Sequence, residues 1–163
     1  MKEKELEERF IELIERYKQM IYKVCLIYAS DDDVLNDLYQ EVLINLWKAF
    51  PRFRNECKES TWLYRVALNT CITYIRKEST RIPTIPLTID MEAILDEQDE
   101  HGRLIKKMYQ MIARLEKPER AILMLWLEDK SYEEIADVMN ISKANVGTRL
   151  MRIREKLRNM SNF

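Results

Sequence analysis

Apolar residues in the first half of the chain recur every three or four positions, the spacing of one face of an α-helix. One such stripe runs from Phe10 to Tyr28 and predicts a long amphipathic helix. The run Ser30-Asp31-Asp32-Asp33 then offers N-cap oxygens and negative charge to a second helix, expected from about Val34 to Ala49. A third helix is expected from about Ser60 to Lys77, and it is apolar around most of its circumference.

The second half predicts three or four shorter helices with clear start signals. Pro118 suits the first turn of a helix, where its missing N–H is not needed. Ser131 and Glu134 have the spacing of a capping box, in which each side chain accepts the other residue's backbone N–H. The expected ranges are about Gly102 to Leu115, Pro118 to Leu127, Ser131 to Met139 and Lys143 to Met160.

Between the two halves, Pro83, Pro86 and several β-branched residues disfavour helix, and an acidic stretch follows to Glu100. The chain has only 2 glycines and 4 prolines among 163 residues, too few for the turns of a many-stranded sheet. We therefore expect an all-α protein of two small helical domains, 1–79 and 102–163, joined by a flexible linker over 80–101.

Composition narrows the class of protein. The 27 basic and 28 acidic residues leave a net charge of −1, which excludes a uniformly basic nucleic-acid coat but permits local basic patches. No apolar run approaches the roughly 20 residues of a membrane span, so neither membrane insertion nor export is expected. The 3 cysteines lack C-x-x-C spacing and are interpreted as reduced packing residues of a cytoplasmic protein.

The last forty residues predict a helix-turn-helix, with a tight corner at Asn140-Ile141 and Ser142 as the cap of the second helix. On that helix Val146, Leu150 and Ile153 form an apolar stripe, and another side is free to contact duplex DNA. The alternative is a merely solvated basic face, but residues 143–163 hold one acid among six bases. The predicted DNA-binding residues are Lys143, Asn145, Thr148, Arg149, Arg152 and Lys156.

The third helix carries one polar strip that combines aromatic, cationic and amide side chains. Such a set can stack on unpaired bases, bind phosphate and pair with base edges, and so suits a single DNA strand. The alternative places Trp62 in the core and leaves the arginines as ordinary surface charges. The predicted strand-binding residues are Trp62, Arg65, Asn69, Thr73 and Arg76, with Phe53, Arg54 and Asn55 on the preceding loop.

On the second helix Leu38 is among the apolar residues expected to face inward, and Asp37, Glu41 and Asn45 form an acidic and amide face opposite them. Gln40, Ile44 and Trp47 project to a side between the two. A large apolar anchor beside polar contacts is typical of a protein-docking helix. An equally open alternative packs Trp47 on the first helix.

Three blocks together resemble the extracytoplasmic-function (ECF) class of bacterial sigma factors, in that family's order and spacing. Asp37-Leu38-Tyr39-Gln40-Glu41-Val42 with Leu46-Trp47-Lys48 is similar to its core-polymerase-binding helix. Phe53-Arg54 and the run from Thr61 to Asn69 resemble the stretch that opens and reads the minus-ten element. The run from Leu115 to Arg120, followed by Ser131 to Ala136 and Ile141-Ser142, resembles the minus-thirty-five domain.

The resemblance implies a non-enzymatic factor without cofactor, metal or small-molecule substrate. Its expected partners are the β′ clamp helices and the β subunit of core RNA polymerase, promoter DNA and an anti-sigma factor. Leu38 joins the polymerase-binding residues through this resemblance. Thr73 stands where the family often has Asp, and Gly147 where it has a phosphate-binding Lys, so no promoter consensus is carried over.

Two other classes of function were considered. A stand-alone helix-turn-helix regulator or response-regulator output would share the C-terminal block, but a receiver domain needs alternating strands that the first half lacks. A small helical enzyme or metal-carrying bundle is disfavoured because the only histidine, His101, has no nucleophile or ligand partner in the pattern.

Overall fold

The computed structural model describes residues 2–81 and 100–161 of the chain. These residues form seven α-helices and one short 3-10 turn, Phe50–Arg52, and contain no strand. The predicted all-α class is confirmed. The helices are α1 Lys2–Tyr28, α2 Asp32–Ala49, α3 Glu59–Arg81, α4 Glu100–Ile112, α5 Lys117–Leu127, α6 Tyr132–Met139 and α7 Lys143–Ser161.

Local capping sets where several helices begin. Asp31 Oδ1 accepts the N–H of Val34 at 2.8 Å and starts α2. Ser131 Oγ accepts the N–H of Glu134 at 3.1 Å, and Glu134 Oε1 accepts the N–H of Ser131 at 3.4 Å, so the predicted capping box is present. The same hydrogen bond from the Ser131 backbone lowers the pKa of Glu134.

The corner of the helix-turn-helix also follows the sequence prediction. Asn140 adopts a left-handed conformation with φ 56° and ends α6, a geometry that asparagine tolerates better than most residues. Ser142 Oγ then accepts the N–H of Asn145 at 3.1 Å and starts α7. Two short hydrogen-bonded caps thus turn the chain between the two helices.

The helices form two groups. In the first group α1, α2 and α3 pack on one another, and in the second α5, α6 and α7 do, with α4 beside them. The fully buried side chains include Leu13, Ile21, Val24, Leu38, Val42, Leu46 and Leu63 in the first group, and Ile122, Leu125, Ile135, Val146 and Ile153 in the second.

The ends of α3 and α4 extend into the stretch predicted as a linker. α3 continues to Arg81 and α4 begins at Glu100, so two residues at each end of the 80–101 range are helical. The rest of the predicted linker, 82–99, lies outside the described residues.

The cysteines occupy packing positions as the sequence predicted. Cys25 on α1 and Cys71 on α3 have no exposed surface, and Cys57 is half-buried just before α3. All three are free thiols.

The two groups pack against each other, an arrangement that the sequence left open. α3 lies against α6, and α1 lies against α5. Tyr28 donates its hydroxyl hydrogen to the carbonyl oxygen of Lys117 at 2.6 Å, and Lys23 Nζ lies 3.0 Å from Glu128 Oε1. The ammonium group of Lys130 lies 5.8 Å from the ring centre of Tyr64. A hydrogen bond, an ion pair and a cation–π contact therefore join the groups.

Burial of Tyr64 at this junction predicts a loss of stability in alkali. Burial, with the nearby charges of Glu128 and Glu134, raises the pKa of Tyr64 to about 12 from its ordinary value of 10.0. Because the unfolded chain ionises first, the free energy of unfolding should be unaffected by this group below about pH 10. Between about pH 10 and 12 the ionisation of this group should lower the free energy of unfolding progressively, by up to about 1 kcal/mol per pH unit.

Urea unfolding at a series of alkaline pH values measures this slope. Tyr64→Phe, which cannot ionise, should show a correspondingly shallower decline above about pH 10. Equal slopes for the two proteins would contradict the prediction.

Candidate nucleic-acid and protein interfaces

The polar strip predicted on α3 lies at the surface of the first group. Between Thr61 and Lys77 most side chains are buried or half-buried, and Trp62 of the strip is half-buried. The exposed positions are Arg65, Asn69, Thr73, Arg76 and Lys77. We call Trp62, Arg65, Asn69, Thr73 and Arg76 the α3 strip.

A cluster of aromatic rings supports the N-terminal end of the α3 strip. Phe53 stacks on Trp62 with ring centres 4.7 Å apart and planes inclined by 23°. The ring centre of Phe50 lies 6.2 Å from that of Trp62 and 5.4 Å from that of Phe10. Trp62 is thus held by packing and is still partly exposed. Both interpretations from the sequence, a core residue and a strand-binding residue, therefore describe part of this side chain.

Next to these rings is a cavity of about 530 Å³, which we call the strand pocket. Its lining combines aromatic rings, guanidinium groups and two acidic residues, Glu56 from the first group and Asp137 from the second. The lining includes Arg52, Phe53, Arg54, Trp62, Arg65 and Asp137. Asn55, on the same loop, is exposed and adopts a left-handed backbone with φ 58°.

Arg65 reaches from the α3 strip to the second group. Its Nε donates to the backbone carbonyl oxygen of Asp137 on α6 at 2.9 Å, and its Nη2 donates to the same oxygen. Its Nη1 lies 3.9 Å from the sulfur of Cys57. The sequence did not indicate Asp137 as a partner, because the acceptor is a backbone carbonyl, a group that every residue has.

On α2, the exposed polymerase-docking candidates are Gln40, Glu41 and Ile44, and Ile44 retains 47% of its surface. Asp37 is exposed as well, and it accepts a hydrogen bond from the hydroxyl of Tyr74 at 3.2 Å. These four residues form a continuous set of helical positions, and we call them the α2 face.

Three other candidates on α2 are buried or engaged by neighbouring helices. Leu38 is 0% exposed, so its side chain supports the core and does not belong to a docking surface. Asn45 turns toward α3, where its Nδ2 donates to Thr70 Oγ1 at 2.9 Å, and so does not lie opposite the inward face. Trp47 packs edge-on against Phe10 of α1 at 5.1 Å, the alternative that the sequence left open.

The second helix of the helix-turn-helix, α7, has the two sides that its spacing predicts. Val146, Leu150 and Ile153 are buried against the rest of the second group. On another side Lys143, Thr148, Arg152 and Lys156 are exposed, whereas Asn145 and Arg149 are half-buried. These predicted DNA-binding residues, which we call the reading side of α7, are therefore fully or partly exposed.

Internal partners already engage several of these residues. Arg149 Nε donates to Asn145 Oδ1 at 3.2 Å, and Thr148 Oγ1 donates to the carbonyl of Ala144 at 3.1 Å. The first contact orients the guanidinium group and leaves its two terminal nitrogens available to a guanine or a phosphate.

Two lysines of α7 form ion pairs with acids on preceding helices. Lys143 Nζ lies 3.3 Å from Glu133, and Lys156 Nζ lies 2.8 Å from Glu119 on α5. The hydrogen bond to Glu119 raises the pKa of Lys156.

Arg149 and Arg152 are the two arginines on the reading side of α7, whereas the guanidinium group of Arg154 lies over the ring of Trp126, 4.7 Å from its centre.

The described residues contain no group of three or more histidine, cysteine or acidic side chains placed to hold a metal ion. Among the helices of 2–81 and 100–161, none is both long and apolar enough to cross a bilayer.

Two protein-family models match the chain, one in each helical group. The model described as Sigma-70 region 2 matches residues 13–81. The model described as Sigma-70, region 4 matches residues 105–157. Together they cover most of the chain.

Curated relatives match over nearly the full length. A protein named ECF RNA polymerase sigma-E factor in Escherichia coli K12 is 30% identical over 164 residues, spanning 90% of this chain and 83% of the relative. Its namesake in Salmonella typhimurium LT2 matches with the same identity and coverage. The Haemophilus influenzae Rd protein of that name is 29% identical over 160 residues, spanning 90% and 84% of the two chains.

Two solved structures share the fold. CnrH, in complex with the cytosolic domain of CnrY, superposes with a TM-score of 0.70 at 18% identity, covering 96% of this chain and 89% of that one. The sigma factor RpoE from Bartonella quintana, in complex with the anti-sigma factor NepR, superposes with a TM-score of 0.75 at 16% identity, covering 95% and 98%.

Proposed function

This chain belongs to the ECF class of the sigma-70 family, and we propose that it binds core RNA polymerase and directs promoter recognition, DNA opening and transcription initiation. It is an initiation factor and not an enzyme. Factors of this class act on RNA polymerase in the cell interior, and we place this chain in the cytoplasm.

The observation that carries the proposal is the separation of two distinct surfaces on two helical groups. The α3 strip, with stacked rings, arginines and an amide, suits an unpaired strand, whereas the cationic side of α7 suits a major groove. We therefore assign core-polymerase binding and the opening and recognition of the minus-ten element to residues 1–79. The minus-thirty-five element is assigned to residues 102–163.

Core polymerase is proposed to dock on the α2 face through its β′ clamp helices, with the β subunit as a further contact. Ile44 supplies an exposed apolar anchor, and Asp37, Gln40 and Glu41 supply polar contacts around it. An anti-sigma factor is also proposed as a partner, because two chains of the same fold were solved in complex with CnrY and with the anti-sigma factor NepR.

Run-off transcription with purified core enzyme tests the function directly. The chain is added to core enzyme on a pool of randomised promoters, and transcripts are sequenced from their starts. Initiation at sites that share a two-part upstream element is the expected result. Initiation at no site, with duplex binding retained in the absence of core enzyme, would instead identify a stand-alone helix-turn-helix regulator.

The α3 strip is predicted to be needed for strand opening and not for polymerase binding. Asn69→Ala removes an exposed amide with little expected effect on stability, whereas Trp62→Ala also removes ring packing on Phe53. For both variants, permanganate should detect fewer unpaired thymines near the start site, while closed complexes still form. Normal thymine reactivity in Asn69→Ala and Trp62→Ala would contradict the assignment.

A further inference from the structure

Asn145 and Arg149 lie one turn apart near the start of α7, and their side chains are in contact. Ser142 Oγ accepts the N–H of Asn145 at 3.1 Å, which places Asn145 in the first turn of the helix. Side chains four positions apart are neighbours on a helix, and the later one leans back toward the N-terminus. Arg149 Nε accordingly donates to Asn145 Oδ1 at 3.2 Å. The contact lies in the N-terminal half of the helix, the half that reaches base edges in a helix-turn-helix complex.

This hydrogen bond holds the guanidinium group of Arg149 through one nitrogen only. Both side chains are half-buried, so the contact is formed beside the packed side of α7. Among the residues that the structure describes, Asn145 is the one hydrogen-bonding partner of the Arg149 side chain. Lys143 and Lys156 differ, because each forms an ion pair with an acid. Nη1 and Nη2 of Arg149 therefore form a planar fork of donors that is oriented by Nε and directed to no acid in that part of the chain.

An oriented fork of two donors fits one base better than the others. In the major groove guanine presents two adjacent acceptors, O6 and N7, whereas adenine presents the acceptor N7 beside the donor N6. Cytosine presents a donor and thymine a single acceptor with a methyl group. Both N–H groups of the fork are satisfied on guanine alone. A phosphate gains little from a fixed guanidinium plane, because its oxygens accept hydrogen bonds from many directions.

Asn145 considered without its neighbour would favour a different base. Asparagine binds adenine through two hydrogen bonds, in which Oδ1 accepts from N6 and Nδ2 donates to N7. Oδ1 of Asn145 already accepts from a charged donor, and such a hydrogen bond is stronger than one from a neutral amino group. An adenine at Asn145 would bring its N6 donor next to the guanidinium donors. The contact therefore favours a role for Asn145 that is exerted through Arg149.

We propose that Asn145 is a positioning residue, which orients Arg149 so that the Nη1 and Nη2 fork recognises one guanine of the duplex upstream element. Arg149 contacts the base, and Asn145 selects no base of its own. The inference rests on the proposed function of the reading side of α7 and adds a base preference to it.

The test measures base preference with the full chain in the reconstituted polymerase holoenzyme. A promoter selected with the unmodified chain is varied one base pair at a time through its upstream element, and binding is titrated for all four bases. At one position guanine should be preferred by roughly 10-fold or more, and Arg149→Ala should abolish that preference. Arg149→Lys should lose most of it as well, because an ammonium group keeps the charge without the planar fork.

Two substitutions of Asn145 separate positioning from direct reading. Asn145→Ala removes the acceptor and should lower the guanine preference at the same position by about 3- to 10-fold. Asn145→Asp keeps an oxygen for Nε and should retain the guanine preference, although its negative charge should weaken binding to all sequences. An asparagine that reads adenine would lose its preference in both variants, because aspartate has no hydrogen to donate to N7.

Asn159→Ala is the matched control. Asn159 is an exposed asparagine of the same helix, more than three turns beyond Asn145, so the same amide is removed away from Arg149. Its base profile should equal that of the unmodified chain. Urea unfolding of each variant checks that the fold is retained, and a preference confined to one base pair does not follow from a general change in stability.

Four results would overturn the inference. Loss of an adenine preference in Asn145→Ala, with the guanine position unaffected, would show that Asn145 reads a base itself. An unchanged base profile in Asn145→Ala would show that the contact has no role, and equal losses in Asn145→Asp and Asn145→Ala would exclude positioning through the oxygen. A uniform loss of affinity in Arg149→Ala, with a reduced salt dependence, would assign Arg149 to phosphate. Failure of the proposed function is distinguishable, because it is measured as absent run-off transcription by the unmodified chain with core enzyme.

Discussion

Replacing Arg149 and Arg152 together by alanine is expected to lower the affinity of the reconstituted polymerase holoenzyme for its promoter by at least about 30-fold. Both arginines lie on the reading side of α7, and Arg149 is oriented by Asn145. Each lost base contact should cost about 1–3 kcal/mol, and each lost phosphate contact should reduce the salt dependence of binding by about one unit of slope.

The measurement is a binding titration at several salt concentrations on a promoter selected with the unmodified chain. Arg154→Ala is the matched control for each single substitution, Arg149→Ala and Arg152→Ala, because it removes one positive charge from the same helix at a side chain that packs over Trp126. The control should retain most of the promoter affinity. If Arg154→Ala loses as much affinity as each single variant, only the general charge of α7 matters. Unchanged binding by the double variant would refute the assignment of this side of α7 to DNA.

Ile44→Ala and Leu38→Ala are expected to affect different properties, although both residues lie on α2: the first should lower the affinity for core polymerase, and the second should lower the stability of the fold. Ile44 is 47% exposed, so its loss should change the free energy of unfolding by less than about 0.5 kcal/mol. As an apolar anchor of the α2 face, it should contribute about 2 kcal/mol to core-polymerase affinity, or roughly a 30-fold change. Leu38 is 0% exposed, so truncation should destabilise the fold by about 2–5 kcal/mol.

Urea unfolding and competition for fluorescently labelled core enzyme separate the two effects. At a temperature where Leu38→Ala remains folded, its affinity for core enzyme should be nearly normal. If Ile44→Ala binds core enzyme as tightly as the unmodified chain, the docking surface lies elsewhere. If Leu38→Ala loses core affinity while remaining as stable as the unmodified chain, the assignment of Leu38 to the core is wrong.

Features that depend on neighbouring residues were predictable from the sequence. The capping box of Ser131 and Glu134, the cap at Asp31 and the corner at Asn140 all involve groups within four positions of each other. The same holds for the buried stripe of α7, because helical periodicity alone places Val146, Leu150 and Ile153 on one side.

Side-chain contacts that depend on which helices pack against each other were not predictable from local spacing. Asn45 was placed opposite the inward face of α2, but α3 lies beside that position and Thr70 accepts its amide hydrogen. Leu38 was expected to face inward from the apolar spacing of α2, and the resemblance added it to the polymerase-binding residues; the structure buries it. A motif identifies the helix that binds, whereas burial decides which of its side chains are available.

The partners of charged residues show the same limit. Lys156 was predicted to face DNA, and the structure pairs it with Glu119, 37 residues away. Arg65 donates to a carbonyl 72 residues further along the chain. No residue pattern distinguishes one backbone carbonyl from another, so such a partner becomes visible only when the helices have been packed.

The sequence by itself determined the all-helical class, the starts of several helices, the buried stripe of each amphipathic helix and the resemblance to sigma factors. These follow from hydrogen bonds and side-chain spacings within a turn or two of helix. Only the tertiary structure decided that the two helical groups pack together and that Asp137 of α6 lines the strand pocket. That arrangement depends on shape, on burial and on backbone groups common to all residues, which linear order does not specify.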